Sequence, residues 1–528
     1  MRRVGIIAVL VATALATFPA RAQDDCSWSQ YGYDPGHSFA QHPACSEITA
    51  LNVGALAPKW VVSTTSPVTA SPSVAGGTVY VGANDGMFYA VDAETGVIRW
   101  TFEVTDGNSV GFGRIVSSAA IVDVADRKVI LFGGGATLYA LDADPAASER
   151  VLASVCVDPR DPDDATINRC GGSQGDIEIE SSPAVVEVDG VTWVLVGMDV
   201  HNDRDVGRTG VIALRLEPPA GDEGGWSLEP VWKFDPENRQ TYTGDDLLTT
   251  GHGTGDGCGG VWSSPVADVA GDTVIFGTAS CSVGSLEEGP LSGESVFGIS
   301  LRTGGFRWQY NPRADRGEST RLDDDFGASP NLLPNDMVGI GGKDGWYYGL
   351  KRDRGDANSI AEGEWATRAG QAGHAGGDFA IGGMIGTAAV GEWFDEPAIF
   401  ATTAISTPLN NSNDGPDETL LTEPQRMFSI HAISAIDGRI LWRSPLSRQS
   451  YGAPTYARGL VFVPSTVDLA VNVFHADTGL LLRRLPVYGA PSSAPAIVGD
   501  SIYVGSGTSV EPFPLNDQSG IVSYALPT

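Results

Sequence analysis

Lysine, histidine and cysteine are scarce in this chain of 528 residues, which holds five lysines, seven histidines and six cysteines. No Cys-x-x-Cys occurs, so cysteine-based metal ligation is the weaker reading of the cysteines, and without Cys-x-x-Cys-His there is no covalently attached haem. His252, His374 and His431 stand isolated and no His-Glu-x-x-His occurs, which argues against a zinc hydrolase. Gly505-Ser506-Gly507 does not supply the elbow of a serine hydrolase. Positive charge is also short: 33 basic against 65 acidic residues give a formal charge of −32, a field that repels nucleic acid and anionic lipid. The first apolar run, Val4 to Thr17, is too short to span a bilayer, and no later one reaches the roughly 20 residues required.

Turn formers, in contrast, abound. With 67 Gly and 32 Pro the composition argues against a helical bundle and a regular βα alternation. Thr78 to Trp100 reads as an alternating strand, a Gly/Asn/Asp turn, a second strand, an Asp-x-x-Thr-Gly turn and a third strand ending on Trp. Comparable stretches begin at Val129, Trp193, Thr273, Met337, Ala398, Leu460 and Ser501, making eight copies. Most are preceded by a short strand with Ser-Pro or Ala-Pro, as at Ser71, Ser182, Ser264, Ser329, Ala453 and Ala494. Four strands repeated eight times predict an all-β, eight-bladed β-propeller. The last copy lacks its Trp strand, and an orphan Pro58-Lys59-Trp60-Val61-Val62 stands before the first. The strand of Trp60 is therefore expected to complete the eighth blade and close the ring. Insertions such as Ala220–Gly260, Ser282–Gly293 and Thr407–Pro424 read as surface loops.

Met1-Arg2-Arg3, the apolar run and Ala20-Arg21-Ala22 read as an export signal over residues 1–22. An N-terminal extension over 23–57 and the propeller over 58–528 follow, and the expected location is periplasmic or secreted. In an exported chain the cysteines suggest disulfides, and closing short loops costs least chain entropy. Cys26–Cys45, Cys156–Cys170 and Cys258–Cys281 are the expected pairs.

The turn Ala90-Val91-Asp92-Ala93-Glu94-Thr95-Gly96 with Trp100 returns in degraded form at Leu301–Trp308, Ala435–Trp442 and Ala476–Leu480. Its bare structural role is clear: the Trp packs against the next blade while Asp and Thr fix a turn. Eight such copies resemble the PQQ-dependent (quinoprotein) alcohol dehydrogenases, and the VWSSPV and DDDFGASPNLL stretches are most similar in tone to the polyvinyl-alcohol dehydrogenase-like quinoproteins. Non-catalytic scaffolds of outer-membrane assembly share the repeat, so it speaks for the fold and only axial residues speak for chemistry.

The resemblance implies a site. Gly259-Gly260-Val261-Trp262 resembles the family's Gly-x-x-Trp stretch, so Trp262 would stack under the quinone ring beside Gly260, where a bare structural reading makes it core. Arg321-Leu322-Asp323-Asp324-Asp325-Phe326-Gly327 resembles the family's D-x-W-D-Y-D segment, placing Asp323 at the general base and leaving a solvated turn or a bare cation site as alternatives. Lys343 matches the basic residue beside the quinone carbonyl, and Arg114 a carboxylate-binding arginine. Ca²⁺ would be held by Asp205, Ser280 and Asp323, the first two being shorter donors than the family's Glu and Asn. The vicinal Cys pair is absent, the first-blade Glu is replaced near Thr69, Leu322 stands for a Trp and Met384 for an Asn. The reading implied is an exported oxidoreductase using PQQ and Ca²⁺ on an alcohol and passing electrons to a separate acceptor such as a soluble cytochrome c. The rival is a non-catalytic, protein-binding scaffold.

Overall fold

The computed structural model describes residues 26–105, 113–157, 177–200, 209–221, 224–244, 247, 259–279, 293–312, 325–356, 359–370, 383–403, 429–446, 450–466, 468–507 and 518–527. They build eight antiparallel sheets. Blade 1 shows the pattern: Ser73–Ala75, Thr78–Gly82, Met87–Asp92 and Ile98–Glu103 pair in order from the axis outward. The second strand is buried throughout because neighbouring blades cover both its faces, so it reads as an unbroken run, Thr-Val-Tyr-Val-Gly, while the outer strand alternates. Blade 3 adds two short strands, Ile177–Glu178 and Gln240–Tyr242. Inner strands of successive blades touch from blade 1 to blade 8 and back to blade 1. The ring is closed.

Its closure is the one expected. Ala57–Thr64 pairs antiparallel with Ser519–Ala525, so the first long strand completes the last blade and leaves no open edge at the junction. The repeated turn holds blades together. The Trp60 indole N–H donates to the carbonyl of Ala93 in blade 1 at 3.0 Å, and Trp232, Trp308 and Trp442 donate likewise to Leu301, Arg352 and Ala476 of their following blades. Gly96 sits at φ +72°, and a Cβ there would lie 2.8 Å from the Trp60 ring. Both the left-handed backbone and the indole therefore demand glycine. Asp92 accepts from the Thr95 N–H and hydroxyl, and with the Arg99 guanidinium beside it its carboxyl is held well below the usual carboxylate range.

The Ser-Pro positions have a shared role. Ser71 N–H donates to Ser118 Oγ, Ser118 to Ser182, Ser182 to Ser264, Ser264 to Ser329, Ser329 to Thr387 Oγ1, and Ala494 to Ser71, each at 2.8–2.9 Å. A belt of hydroxyls thus links blade to blade around the axis, missing the two links whose acceptor position is Ala453 or Ala494. Ser264→Ala would leave the buried Ser182 N–H without its acceptor, and a loss of about 1–3 kcal/mol in urea unfolding is expected.

Residues 28–47 cross one end of the axis and bond to every blade. The N–H groups of Val74, Ile121, Ala267, Leu332, Val390 and Tyr456 donate to the carbonyls of Trp28, Ser29, Pro35, Gly36, Ser38 and Phe39. Val185 N–H donates to Gln30 Oε1, and Ile497 C=O accepts from Gln41 Nε2. All eight partners lie three residues after the belt position of their blade, where an inner strand presents its unpaired edge to the axis. Positive φ at Tyr33, His37 and Phe39 bends this clasp around the axis, and the Cys26–Cys45 disulfide joins its ends. Cys156 is also disulfide-bonded; Cys170, Cys258 and Cys281 lie outside the described residues.

His37 is buried in the clasp with Nδ1 3.2 Å from the Pro330 carbonyl, and burial pushes its pKa down to about 3, as it does for His431. An unfolded histidine titrates near 6.5. Below that value the unfolded chain binds the proton first, so stability is full above pH 6.5 and falls by about 1.4 kcal/mol per pH unit per histidine toward pH 3. Asp235, which burial raises to about 7, works in the opposite sense. His37→Asn, suited to the left-handed backbone, should flatten the loss between pH 6 and 4 relative to wild type, read as the difference between urea midpoints.

Candidate active site

The segment leading into the fourth inner strand, Val266–Asp268, passes from Trp262 through the belt residue Ser264 to Ala267, which bonds the clasp. Trp262 therefore lies at the opposite end of the axis. The residue two before the belt position is half-buried between buried neighbours at Thr69, Val116, Trp262, Ile385, Tyr451 and Ser492, while Glu180 and Gly327 in that register are buried. These eight positions form one layer above the belt. Trp262 lies across blade 5: a Cβ on Gly327 would come within 2.3 Å of its Cη2.

Blade 5 supplies the charges. Lys343 stands in the tight turn between Met337–Gly341 and Trp346–Lys351. Asp344 shapes that turn by accepting from the Trp346 N–H at 2.9 Å and from the Tyr348 hydroxyl. Lys343 N–H donates to the Asp325 carbonyl at 3.0 Å. The Lys343 ammonium lies 2.7 Å from Asp325 Oδ1 and 5.1 Å from the centre of the Trp262 ring, with both charged side chains about nine-tenths buried. Each charge offsets the burial cost of the other, and the ammonium gains from the indole face.

Two further polar groups stand on other blades. Asp199 packs its carboxylate against Gly260, where a Cβ would meet Oδ1 at 2.0 Å. Between blades 1 and 2, Thr69 donates to Asn84 Oδ1 at 2.9 Å, the Arg114 N–H donates to the Asn84 carbonyl at 2.8 Å, and the Arg114 stem lies against Gly86. A cleft of about 930 Å³ lies elsewhere, on the clasp side of blades 1–3. Its Arg99, Arg127 and Lys128 are each ion-paired with an aspartate.

Of the residues singled out in the sequence, Trp262 and Lys343 come together, Gly260 lies two residues from Trp262, and Arg114 stands apart in the approach to the second inner strand. Asp205, Ser280 and Asp323 lie outside the described residues. Asp325, which the sequence reading passed over, is the carboxylate beside Lys343. A signal for it exists: Asp325 precedes Ser329 by four residues, the offset that separates Arg114 from Ser118 and Gly260 from Ser264.

A family profile described as the β-propeller domain of glucose/ethanol/alcohol dehydrogenases matches residues 28–355. The chain belongs to this family. A second profile, outer membrane protein assembly factor BamB, matches residues 415–522. This dehydrogenase-family chain is 23% identical over 377 residues to a quinohemoprotein alcohol dehydrogenase of Comamonas testosteroni, covering 66% of this chain and 48% of that protein. It is 22% identical over 402 residues to the quinohemoprotein alcohol dehydrogenase ADH IIB of Pseudomonas putida, covering 69% and 53%. It thus spans about half the length of the curated relatives it matches. Among solved structures, a europium-containing methanol dehydrogenase superposes with a TM-score of 0.66 at 16% identity over 95% of this chain and 98% of the other. The Comamonas testosteroni enzyme superposes at 0.63 and 16% over 95% and 80%. These likenesses concern the fold.

A planar quinone carrying carboxylates needs a flat apolar face, a fixed cation at its rim and little side-chain bulk beside it. The half-buried indole of Trp262 offers the flat face and the Lys343 ammonium the cation, while the glycines at 327 and 260 make room for that indole and for the Asp199 carboxylate. Among the described residues no three His, Cys, Asp or Glu side chains gather as a metal site, and no helix is long and apolar enough to cross a membrane.

Proposed function

We propose that this dehydrogenase-family propeller is an exported, PQQ-dependent oxidoreductase of alcohols, with secondary and polymeric alcohols both within the substrate class. The observation that carries the reading is the Trp262–Lys343–Asp325 cluster at the end of the axis away from the clasp. Trp262 would support the flat ring, Lys343 would stabilise negative charge developing at its rim, and Arg114 would pair with a carboxylate. Bound PQQ would supply the two-electron acceptor for hydride from the alcohol carbon. The hydroxyl proton would pass to a carboxylate of the Asp323–Asp325 run: Asp323 by sequence match, or Asp325 by its place beside Lys343. Ca²⁺ would take oxygen donors from Asp205, Ser280 and Asp323. Electrons would leave to a separate acceptor such as a soluble cytochrome c.

The test is reconstitution with PQQ and Ca²⁺, followed by dye reduction across primary, secondary and polymeric alcohols. Trp262→Ala should weaken quinone binding, followed by quenching of tryptophan fluorescence, by about 10–100-fold, given roughly 1–3 kcal/mol for one stacked ring. Failure of the wild-type protein to bind PQQ at micromolar concentration would turn the assignment toward the scaffold reading.

A further inference from the structure

The clasp meets the blades in chain order, from Trp28 on blade 1 to Gln41 and Cys45 on blade 8. Blades 8 and 1 are also the pair at which the ring closes. The Cys26–Cys45 disulfide therefore joins the two ends of an arc that has passed once around the axis. The ends are held unequally. Beyond Cys45, Glu47 N–H bonds the Gly499 carbonyl at 2.8 Å, Ile48, Val53 and Leu56 are buried, and the chain runs straight into the closing strand Ala57–Thr64. At the other end, among the described residues, the backbone pairing of Trp28 with Val74, the single buried Trp28 indole and the disulfide hold the chain, with no adjoining strand.

We infer that the clasp zips from blade 8 toward blade 1, and that the Cys26–Cys45 disulfide is the latch on its final step. Latching is a thiol–disulfide exchange. The two cysteine thiols lose two protons and two electrons to a disulfide oxidant, leaving it as a dithiol where it is the internal disulfide of an oxidoreductase, or as two glutathione thiols where it is oxidised glutathione. The S–S bond forms once Trp28 has docked on blade 1, since docking brings Cys26 to Cys45. A reducing medium would then unfasten the axis at blades 1–3 while blades 6–8 stay covered, opening the hydroxyl belt to solvent from the side away from Trp262. The latch is independent of any cofactor.

Hydrogen exchange reads this directly, because the bonded inner-strand amides report on the clasp blade by blade. In Cys26→Ser/Cys45→Ser, protection should fall about 100-fold at Val74 and Ile121, the fold-change expected for freeing a loop of 19 residues. The effect should shrink along the arc and become small at Val390 and Tyr456. Gln30→Ala, which removes a side-chain acceptor without touching the disulfide, should raise exchange at Val185 alone. If the double variant does not accumulate folded, the same profile is measured on wild-type protein after mild phosphine reduction, with mass spectrometry verifying that the Cys156 disulfide survives. An equal rise at every blade, or no rise at any, overturns the latch.

Discussion

Lys343→Met is expected to destabilise the protein by about 3–5 kcal/mol, because it leaves the Asp325 carboxylate buried without its counter-ion. Asp325→Leu should cost about as much for the reciprocal reason. The double variant Lys343→Met/Asp325→Leu should recover most of that loss, since replacing a buried pair by apolar side chains is often neutral where breaking it is not. Activity should follow a different course. If the pair serves the proposed reaction, dye-linked alcohol oxidation falls by about 10²–10⁴-fold in either single variant, the usual share of general acid–base catalysis, and stays down in the stable double variant. Recovery of turnover along with stability would make the pair structural only. Asp323→Asn completes the comparison: a similar fall there, with Asp325→Asn retaining turnover, would return the base to Asp323.

The fold was legible because its signals are local. Eight copies of one strand-and-turn pattern lie within single stretches of chain, and the Asp92–Thr95–Gly96 turn needs residues only a few positions apart. Even the ring closure showed, because a strand carrying a Trp is missing from the last copy and an orphan strand carrying one stands before the first. The site was legible in part. Trp262 and Lys343 sit in glycine-rich turns that tie them to the axis, whereas choosing among Asp323, Asp324 and Asp325 requires a register that three identical neighbours conceal. Counting from the belt hydroxyl at Ser329 rather than from a motif with Leu322 in place of its Trp leads to Asp325. The clasp was not legible at all. Its bonds run mostly main chain to main chain, from residues 28–47 to strands up to several hundred positions away, so its sequence carries neither repeat nor periodicity.

The clasp and the closing strand together carry the largest effect expected on stability. A chain lacking residues 26–65 loses the closing strand, the clasp and its disulfide together. Trp28, Phe39, Ile48, Val53, Leu56 and Val62 are all buried. At about 1.5–3 kcal/mol each, their burial contributes about 9–18 kcal/mol as an upper bound, comparable with the roughly 5–15 kcal/mol by which whole domains are stable. Eight inner-strand edges would lose their partners, and Ser519–Ala525 would become a free edge prone to pair with another copy. The shortened chain is therefore expected to show no cooperative thermal transition and to associate through that edge. A peptide spanning residues 26–65, added in excess with Cys26 and Cys45 oxidised, should restore a single transition whose midpoint rises with peptide concentration, as binding to the folded state requires. Should the shortened chain melt cooperatively on its own within a few degrees of the full protein, the remaining sheets would carry the ring without closing strand or clasp, and residues 26–65 would not be what holds it shut.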